Sequence, residues 1–369
     1  MMKPYLALSY RNQGLSMVEL LVALAISSIL LLGISTIFLD SRKTDRLGVS
    51  LSRIQETGRF AINFLAKDIR MAGYQGCVDP EALEISIIAQ NAPTTNLFES
   101  SLRGFEVDDA TWANGEEFDN TDIETDALIG SDVISIQGAS VADTQLTGNM
   151  LPNNANIQIT TNPMGFVKND IVIIADCESA DMFRITNNPS GGNITLTHAG
   201  GTNTQSKLSS VYTTDASIMS FESVVYYVAN TGRTNAQGDA INALYRQTDL
   251  LIDADPADPP TNIEFLKEEL VEGVDSMQIL YGERLANGNI HYVPADEIVG
   301  ADMTTVESIR LGLLISSIER VQEADDNLSY ELPGETIAPV GTAGATVTHA
   351  IDQRIRRDFS ATINLRNRL

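Results

Sequence analysis

Cationic side chains are scarce in this chain of 369 residues: 24 Lys+Arg stand against 49 Asp+Glu, a formal net charge of −25 with a pI near 4.3. Phosphate backbones are held by clustered Lys and Arg that release counterions, so this balance argues against nucleic acid as a direct partner. Thiols and imidazoles are scarcer still, at two Cys and three His. That excludes a Cys-rich metal scaffold and leaves little material for a histidine-based active site. His198, His291 and His349 are far apart and read as ordinary sheet or loop residues. No H-E-x-x-H or C-x-x-C occurs, and no G-x-S-x-G elbow, Walker loop or dinucleotide-binding turn follows a strand-like run. Gly191-Gly192 lies among Pro, Ser and Asn and reads as a turn. These gaps point away from an enzyme, and no cofactor is implied.

What the chain does have is one long apolar run. From Leu15 to Leu39 it reads LSMVELLVALAISSILLLGISTIFL with a single charge, Glu19. A helix needs about 20 apolar residues to span a bilayer core. Ahead of it a short leader carries Lys3 and Arg11 and no acid, so the positive-inside rule keeps the leader cytoplasmic and sends the acidic remainder across. A secretory signal would have a shorter apolar region and a small-residue cleavage site behind it. Glu19 is the oddity, since a carboxylate at mid-bilayer costs about 2.5–3.5 kcal/mol and calls for a partner.

The string Q-G-L-S-M-V-E-L-L-V-A-L-A resembles the processing signature of type IV prepilins and type II secretion pseudopilins. The resemblance implies cleavage after Gly14 by a prepilin peptidase, methylation of the new amino group of Leu15, and pairing of Glu19 with the amino terminus of a neighbouring subunit. Leu15 departs from the Phe most frequent at that place. A plain signal anchor, with Glu19 reaching the headgroups, is the competing reading. Beyond the run, Leu47, Leu51, Ile54, Gly58, Ala61, Leu65, Ile69 and Ala72 recur at helical spacing, with Arg53, Glu56, Arg59 and Lys67 off the stripe. The periodicity predicts one helix from Leu15 to about Ala72, near 90 Å long, ended by Gly73. Gly33 and Gly58 mark bending or close packing.

Ile54–Cys77, with Arg356–Arg368 near the end of the chain, resembles the PilW group of minor pilins and more distantly the GspJ pseudopilin. Weaker likeness runs through GSDVISIQ, DIVIIADC and ALYRQT. Downstream of the helix no further helix is expected, only short runs that read as strands: Val133–Gln137, Ile157–Thr161, Ile171–Ala175, Ile194–Thr197, Val224–Ala229, Ala243–Gln247, Ser276–Tyr281, Ile290–Val293, Ile309–Ser316 and Phe359–Leu365. Asn287-Gly288 signals a hairpin. The expected fold is α+β, a long amino-terminal helix packed on antiparallel sheet. Its expected parts are a leader (1–14), a transmembrane or filament-core helix (15–39), an amphipathic half (40–73), a variable β-rich part (74–220) and a more regular sheet (221–369).

Cys77 and Cys177 both fall in the translocated part. In an oxidising periplasm they are expected to form one disulfide, closing a loop of about 100 residues and stabilising by up to about 4.7 kcal/mol in the entropy model; two free thiols or a metal pair are the rival reading. Asp253, Asp255, Asp258 and Glu264 count as positions one, three, six and twelve of an EF-hand-like loop, but that loop needs Gly at six, and Pro256, Pro259 and Pro260 stiffen it. They remain weak calcium candidates beside a second acidic loop at Asp119, Asp122, Glu124 and Asp126, and solvated loops explain both. Trp112 reads as a packed indole.

The resemblance implies a minor pilin that helps initiate type IV pilus assembly, in a tip complex with other minor pilins and a PilY-type tip protein, supporting adhesion, twitching motility or DNA uptake. Its other implied partners are the major pilin and an inner-membrane assembly platform. The implied location is the inner membrane of a Gram-negative bacterium with the soluble part periplasmic, then the pilus tip. A GspJ-like pseudopilin of type II secretion and a membrane-anchored ligand- or cation-binding module are the alternatives.

Overall fold

A computed structural model of the chain describes residues 14, 16–79, 83–109, 112, 121–148, 150, 155–191, 194–250, 264–298 and 303–368. The chain divides into two units, Met1–Leu51 and Ser52–Leu369, and one helix, α1 (Met17–Arg70), contributes to both. In the first unit the side chains of α1 are exposed from Met17 to Leu39, including Leu20, Leu24, Leu31 and Ile37. Among the described residues α1 is the helix long and apolar enough to cross a membrane.

In the second unit α1 buries Ile54, Gly58, Ala61, Leu65 and Ile69, positions that share one side of a 3.6-residue helix. Arg53, Glu56, Arg59 and Lys67 lie exposed on the other. Burial begins later than the periodicity predicts: Leu47 is exposed and Leu51 half-buried. The last turn tightens, with Met71 and Ala72 donating to the carbonyls of Asp68 and Ile69. Gly73, at φ +72, then leaves the helix, and its N–H reaches the carbonyl of Gln137 at 2.9 Å.

The strands are β1 (Ser86–Ile87), β2 (Leu102–Phe105), β3 (Val133–Gln145), β4 (Asn156–Ile159), β5 (Ile171–Ala175), β6 (Ala180–Arg184), β7 (Ile194–Thr197), β8 (Ser217–Thr234) and β9 (Ala240–Leu250). The chain continues through β10 (Glu264–Glu272), β11 (Val274–Arg284), β12 (Ile290–Val293), β13 (Val306–Ser316), β14 (Tyr330–Leu332), β15 (Glu335–Pro339), β16 (Thr348–His349) and β17 (Arg356–Asn364). Contrary to expectation, two short α-helices follow α1 among the described residues. They are α2 (Leu97–Ser100), whose first amides donate to Asn96 Oδ1, and α3 (Thr121–Asp126). Each is shorter than two turns, too brief for hydrophobic periodicity to register.

An eight-stranded sheet runs β1-β6-β5-β8-β3-β2, with β9 on the later part of β8 and β10 on β9. Strand β8 passes through the 220/221 position, pairing with β5 before it and with β9 after it. A second sheet, β12-β11-β13-β17, is antiparallel throughout. The stripe of α1 packs in one core with Ile136, Val224 and Tyr226 of the first sheet and Met277, Ile279, Leu311 and Ile363 of the second. The α+β architecture therefore stands as read from the sequence.

The two sheets are stitched where the segment 130–132 lies along β11. Asp132 donates its N–H to Met277 O, while Asp132 Oδ2 accepts from Ile279 N at 2.6 Å and Ser131 Oγ accepts from Met277 N. The Asp132 carboxyl also hydrogen-bonds that of Glu106, whose Oε1 accepts from Ala295 N at 2.9 Å. Burial, and then the charge of Glu106, push Asp132 well above the usual carboxylate range; burial raises Glu106 as well. Asp108, Asp296 and the buried Tyr281 are the other titratable groups facing the pair.

Two consequences can be measured. A Cβ at Gly58 would stand 2.5 Å from the Phe359 ring. Gly58→Ala should therefore destabilise by on the order of 1 kcal/mol despite its better helix propensity, and Phe359→Leu should relieve that loss. Denaturant titration of the four combinations in detergent reads the coupling, and strictly additive losses would refute the contact. The second concerns pH. Carboxyls with raised folded-state pKa stabilise fully below the unfolded value of about 4, and that stabilisation is lost as pH rises through the folded value. The Tm of the wild-type protein should thus fall on going from mildly acidic to neutral pH more steeply than that of Glu106→Gln, which cannot ionise there. Parallel profiles would show that the pair does not hold a proton.

Candidate assembly site

The residues that the sequence marks for processing and docking sit at the start of α1. Gly14 is exposed, and Leu15 lies outside the described residues. Ser16 and Glu19 close a reciprocal capping box, Ser16 N donating to Glu19 Oε2 at 2.8 Å and Glu19 N donating to Ser16 Oγ at 3.1 Å. Each satisfies an amide that the helix leaves orphaned, and the carboxylate stands where the helix dipole favours negative charge. The sequence reading gives Glu19 a partner in another subunit and overlooks this local one, although S-x-x-E is a legible capping signature. The box holds the carboxylate at the helix end, Oε2 taking the bond from Ser16 N among the described residues.

In the second unit the end of α1 is tied to the sheets from several directions. Ala139 N donates to Tyr74 O at 2.6 Å, and Asn367 Nδ2 to Ala72 O at 3.1 Å. Tyr226 Oη donates to Asp68 Oδ2 at 2.5 Å, and burial followed by the Asp68 charge raises the phenol. Gly138 admits the helix end, because a Cβ there would meet the Met71 carbonyl at 3.1 Å. Past that end, Cys77 is bonded to Cys177, Cα atoms 5.0 Å apart, in the turn between β5 and β6.

Several buried polar clusters escape the sequence reading altogether. Arg356 of β17 is fully buried, with Nε on Asp275 Oδ2 at 2.9 Å, Nη1 on Asp326 Oδ2 at 3.1 Å and on Asp352 Oδ1 at 3.0 Å, and Nη2 on Asp352 Oδ2 at 3.1 Å. The Arg356 interaction draws the Asp352 carboxyl below its usual range despite the opposing cost of burial. Removing one member of such a buried group typically costs 3–5 kcal/mol, roughly, since its partners stay buried unpaired. Arg184 of β6 is also buried and donates to the carbonyls of Gln90, Asn91 and Asn169; burial lowers its pKa to about 10. Asn91 and Asn169 both hold positive φ, 51° and 77°, which turns those carbonyls toward the guanidinium.

Of the remaining candidates, Asp253, Asp255 and Asp258 lie outside the described residues, and Glu264 opens β10. Asp119 lies outside them too; Asp126 of α3 pairs with Lys267 Nζ at 2.6 Å. Among the described residues no cluster of His, Cys, Asp or Glu is arranged to hold a metal ion. His198 is buried against the Phe183 ring, which lowers its pKa to about 4; His349 bonds through both ring nitrogens to the carbonyls of Ala350 and Leu328; His291 is exposed on β12. Trp112 packs edge-on to Phe105 and donates to Glu124 O. The three histidines are thus dispersed among separate parts of the described structure.

Residues 225–367 match the family model described as type IV pilus-assembly protein W, and residues 9–35 match the prokaryotic N-terminal methylation motif. The first match runs from within β8 through β17, and the second spans Gly14, Leu15 and Glu19. No curated protein and no solved structure matches the chain.

The cross-link lends itself to a direct test. Cys77→Ser/Cys177→Ser should lower unfolding stability by about 2–5 kcal/mol, as removal of a native disulfide commonly does. Denaturation of the oxidised protein against that variant measures the loss; equal midpoints would show that the bond contributes nothing.

Proposed function

We propose that the chain, a minor pilin of the PilW family, is an assembly component of a type IV pilus that acts at low copy in the initiating or tip complex. The observation that carries this reading is the conjunction of the methylation motif around Gly14 and Glu19 with a long apolar helix whose side chains are exposed from Met17 to Leu39. Such a helix needs lipid before assembly and neighbouring helices after it. Prepilin peptidase would cleave after Gly14. The new amino terminus of a neighbour would then reach Glu19, a partnered buried charge being far cheaper than a lone one. The prepilin stage would sit in the inner membrane with the acidic part periplasmic, consistent with one disulfide in an oxidising compartment. Other minor pilins, the major pilin, a PilY-type tip protein and the assembly platform are the expected partners. The role is structural, not enzymatic. A domain of this size suits a single position at the tip better than repetition along a thin fibre.

Glu19→Ala should leave the acidic part folded and oxidised yet abolish recovery of the protein in sheared pili, and deletion of the gene should reduce surface piliation sharply. Normal piliation after deletion would remove the initiation role. An uncut leader in amino-terminal sequencing would remove the pilin reading itself. A type II secretion defect with piliation intact would favour the GspJ-like alternative.

A further inference from the structure

The solvent side of α1 within the second unit is chemically unlike the rest of the molecule. Arg53, Glu56, Arg59, Asn63, Lys67 and Arg70 follow one another at intervals of three or four, with Phe60 beside Arg59; they lie opposite the buried stripe, and all are exposed. Four are cationic and one is acidic. Residues 71–369, by contrast, contain 15 Lys+Arg and 44 Asp+Glu. In so acidic a protein, cations readily find internal carboxylates, as Arg233, Lys267, Arg320 and Arg356 do. Arg53, Arg59, Lys67 and Arg70 make no such ion pair with the described residues.

Phe60 stands among them, 49% exposed. It is braced from beneath: its ring lies 5.7 Å from Phe64, Phe64 lies 6.3 Å from Tyr226, and the Tyr226 hydroxyl is bonded to Asp68. An aromatic held in place by packing and set on a cationic helix face is the composition of an interface centre, because it buries a large apolar area at little cost in side-chain entropy.

We propose that this face of α1, from Arg53 to Arg70, docks an acidic segment of a neighbouring filament subunit, with Phe60 as the apolar anchor and Arg53, Arg59 and Lys67 pairing its carboxylates. The proposal rests on the pilus reading above and specifies the partner's chemistry. A protein fits better than an anionic lipid surface for two reasons. Glu56 sits amid the cations, where it repels a phosphate-rich surface but can be matched by a cation of a protein partner. Helices that lie on membranes also present a broad apolar face, whereas from Arg53 to Arg70 the large apolar side chain exposed is Phe60.

The test uses the full chain in piliated cells, with p-benzoylphenylalanine at position 60 and, separately, the charge reversal Arg53→Glu/Arg59→Glu beside a control reversal at Lys207→Glu/Arg366→Glu. Irradiation should yield a cross-link to another pilin-type subunit whose attached peptide is acidic. The helix reversal should reduce recovery in sheared pili roughly tenfold while the control changes it less than about twofold, as expected when complementary charges are set against each other. Cross-linking to lipid alone, to a basic peptide, or to nothing would overturn the proposal, as would wild-type incorporation of the helix reversal. Should the reversal misfold, shown by loss of the Cys77–Cys177 bond, the cross-link at position 60 decides. Glu19→Ala separates the two levels: if it abolishes incorporation while the helix reversal does not, only the docking face falls; if Glu19→Ala assembles normally, the pilus reading falls first.

Discussion

Burial of one narrow helical stripe organises the folded unit. Ile54, Ala61, Leu65, Ala66 and Ile69 of α1 enter the core, with Ile62 and Phe64 packed against it, and strands from both main sheets close over them. The stripe is narrow because small residues, Gly58 against the Phe359 ring and the buried Ala61 and Ala66, stand among Ile54, Leu65 and Ile69, so that helix and sheet approach closely. Close approach makes the helix end exacting: Gly73 must turn left-handed, and Gly138 must lack a side chain, for the chain to leave α1 alongside β3. The Cys77–Cys177 bond begins only four residues later and extends the same anchorage to the β5–β6 turn.

Polar groups then determine how the sheets join. Backbone amides of β11 that have no strand partner on the side of the 130–132 segment are answered by the Ser131 hydroxyl and the Asp132 carboxylate, so a loop completes what a strand would otherwise supply. Arg356 performs a related service at the head of β17, collecting Asp275 from β11, Asp326 from the loop before β14 and Asp352 from the loop before β17 itself. Hydrophobic burial is indifferent to which strands meet, whereas three carboxylates around one planar guanidinium admit few arrangements. Specificity of the strand arrangement is the best account of charges placed so deep.

Much of this was legible in the sequence. The change from an all-round apolar run to a one-sided stripe marks α1, and Ile171–Ala175, Ile194–Thr197 and Ile290–Val293 stand in the structure with the bounds that alternation and turn residues assign them. Asn287-Gly288 turns the chain as expected, with Gly288 at φ +83. What escaped did so for physical reasons. Strand β6 reads ADMFR, with two charges in five residues, yet every position is buried: Asp181 accepts from Ser209 N, Ser209 Oγ and Tyr212 Oη, and Arg184 donates to three loop carbonyls. Strand β10 is rich in Glu and, among the described residues, pairs with β9 alone, so it lies at an edge, where charge is tolerated and alternation is lost. Neither the Glu106–Asp132 pair nor the Arg356 group has a legible signature: Glu106 and Asp132 lie on separate segments, and although Asp352 is only four residues from Arg356, Asp326 and Asp275 reach it from 30 and 81 residues away.

The distribution of charge has a consequence for association. In the part after α1 the cations are largely spent internally: Arg184, Arg354 and Arg356 are buried, and Arg233, Arg246, Lys267, Arg284 and Arg320 face carboxylates within the fold. The field seen from outside is therefore set by unpaired acids, and at physiological salt it repels another acidic surface over a distance of about 8 Å. Two such bodies approach most easily where the sign changes, which is along the exposed side of α1. Net charge, which first argued only against nucleic acid, thus limits where a neighbour of similar composition can approach. The same limit bears on orientation: an acidic partner that pairs with Arg53 and Arg59 has its own carboxylates neutralised there, and its remaining acids are driven away from the β-rich body.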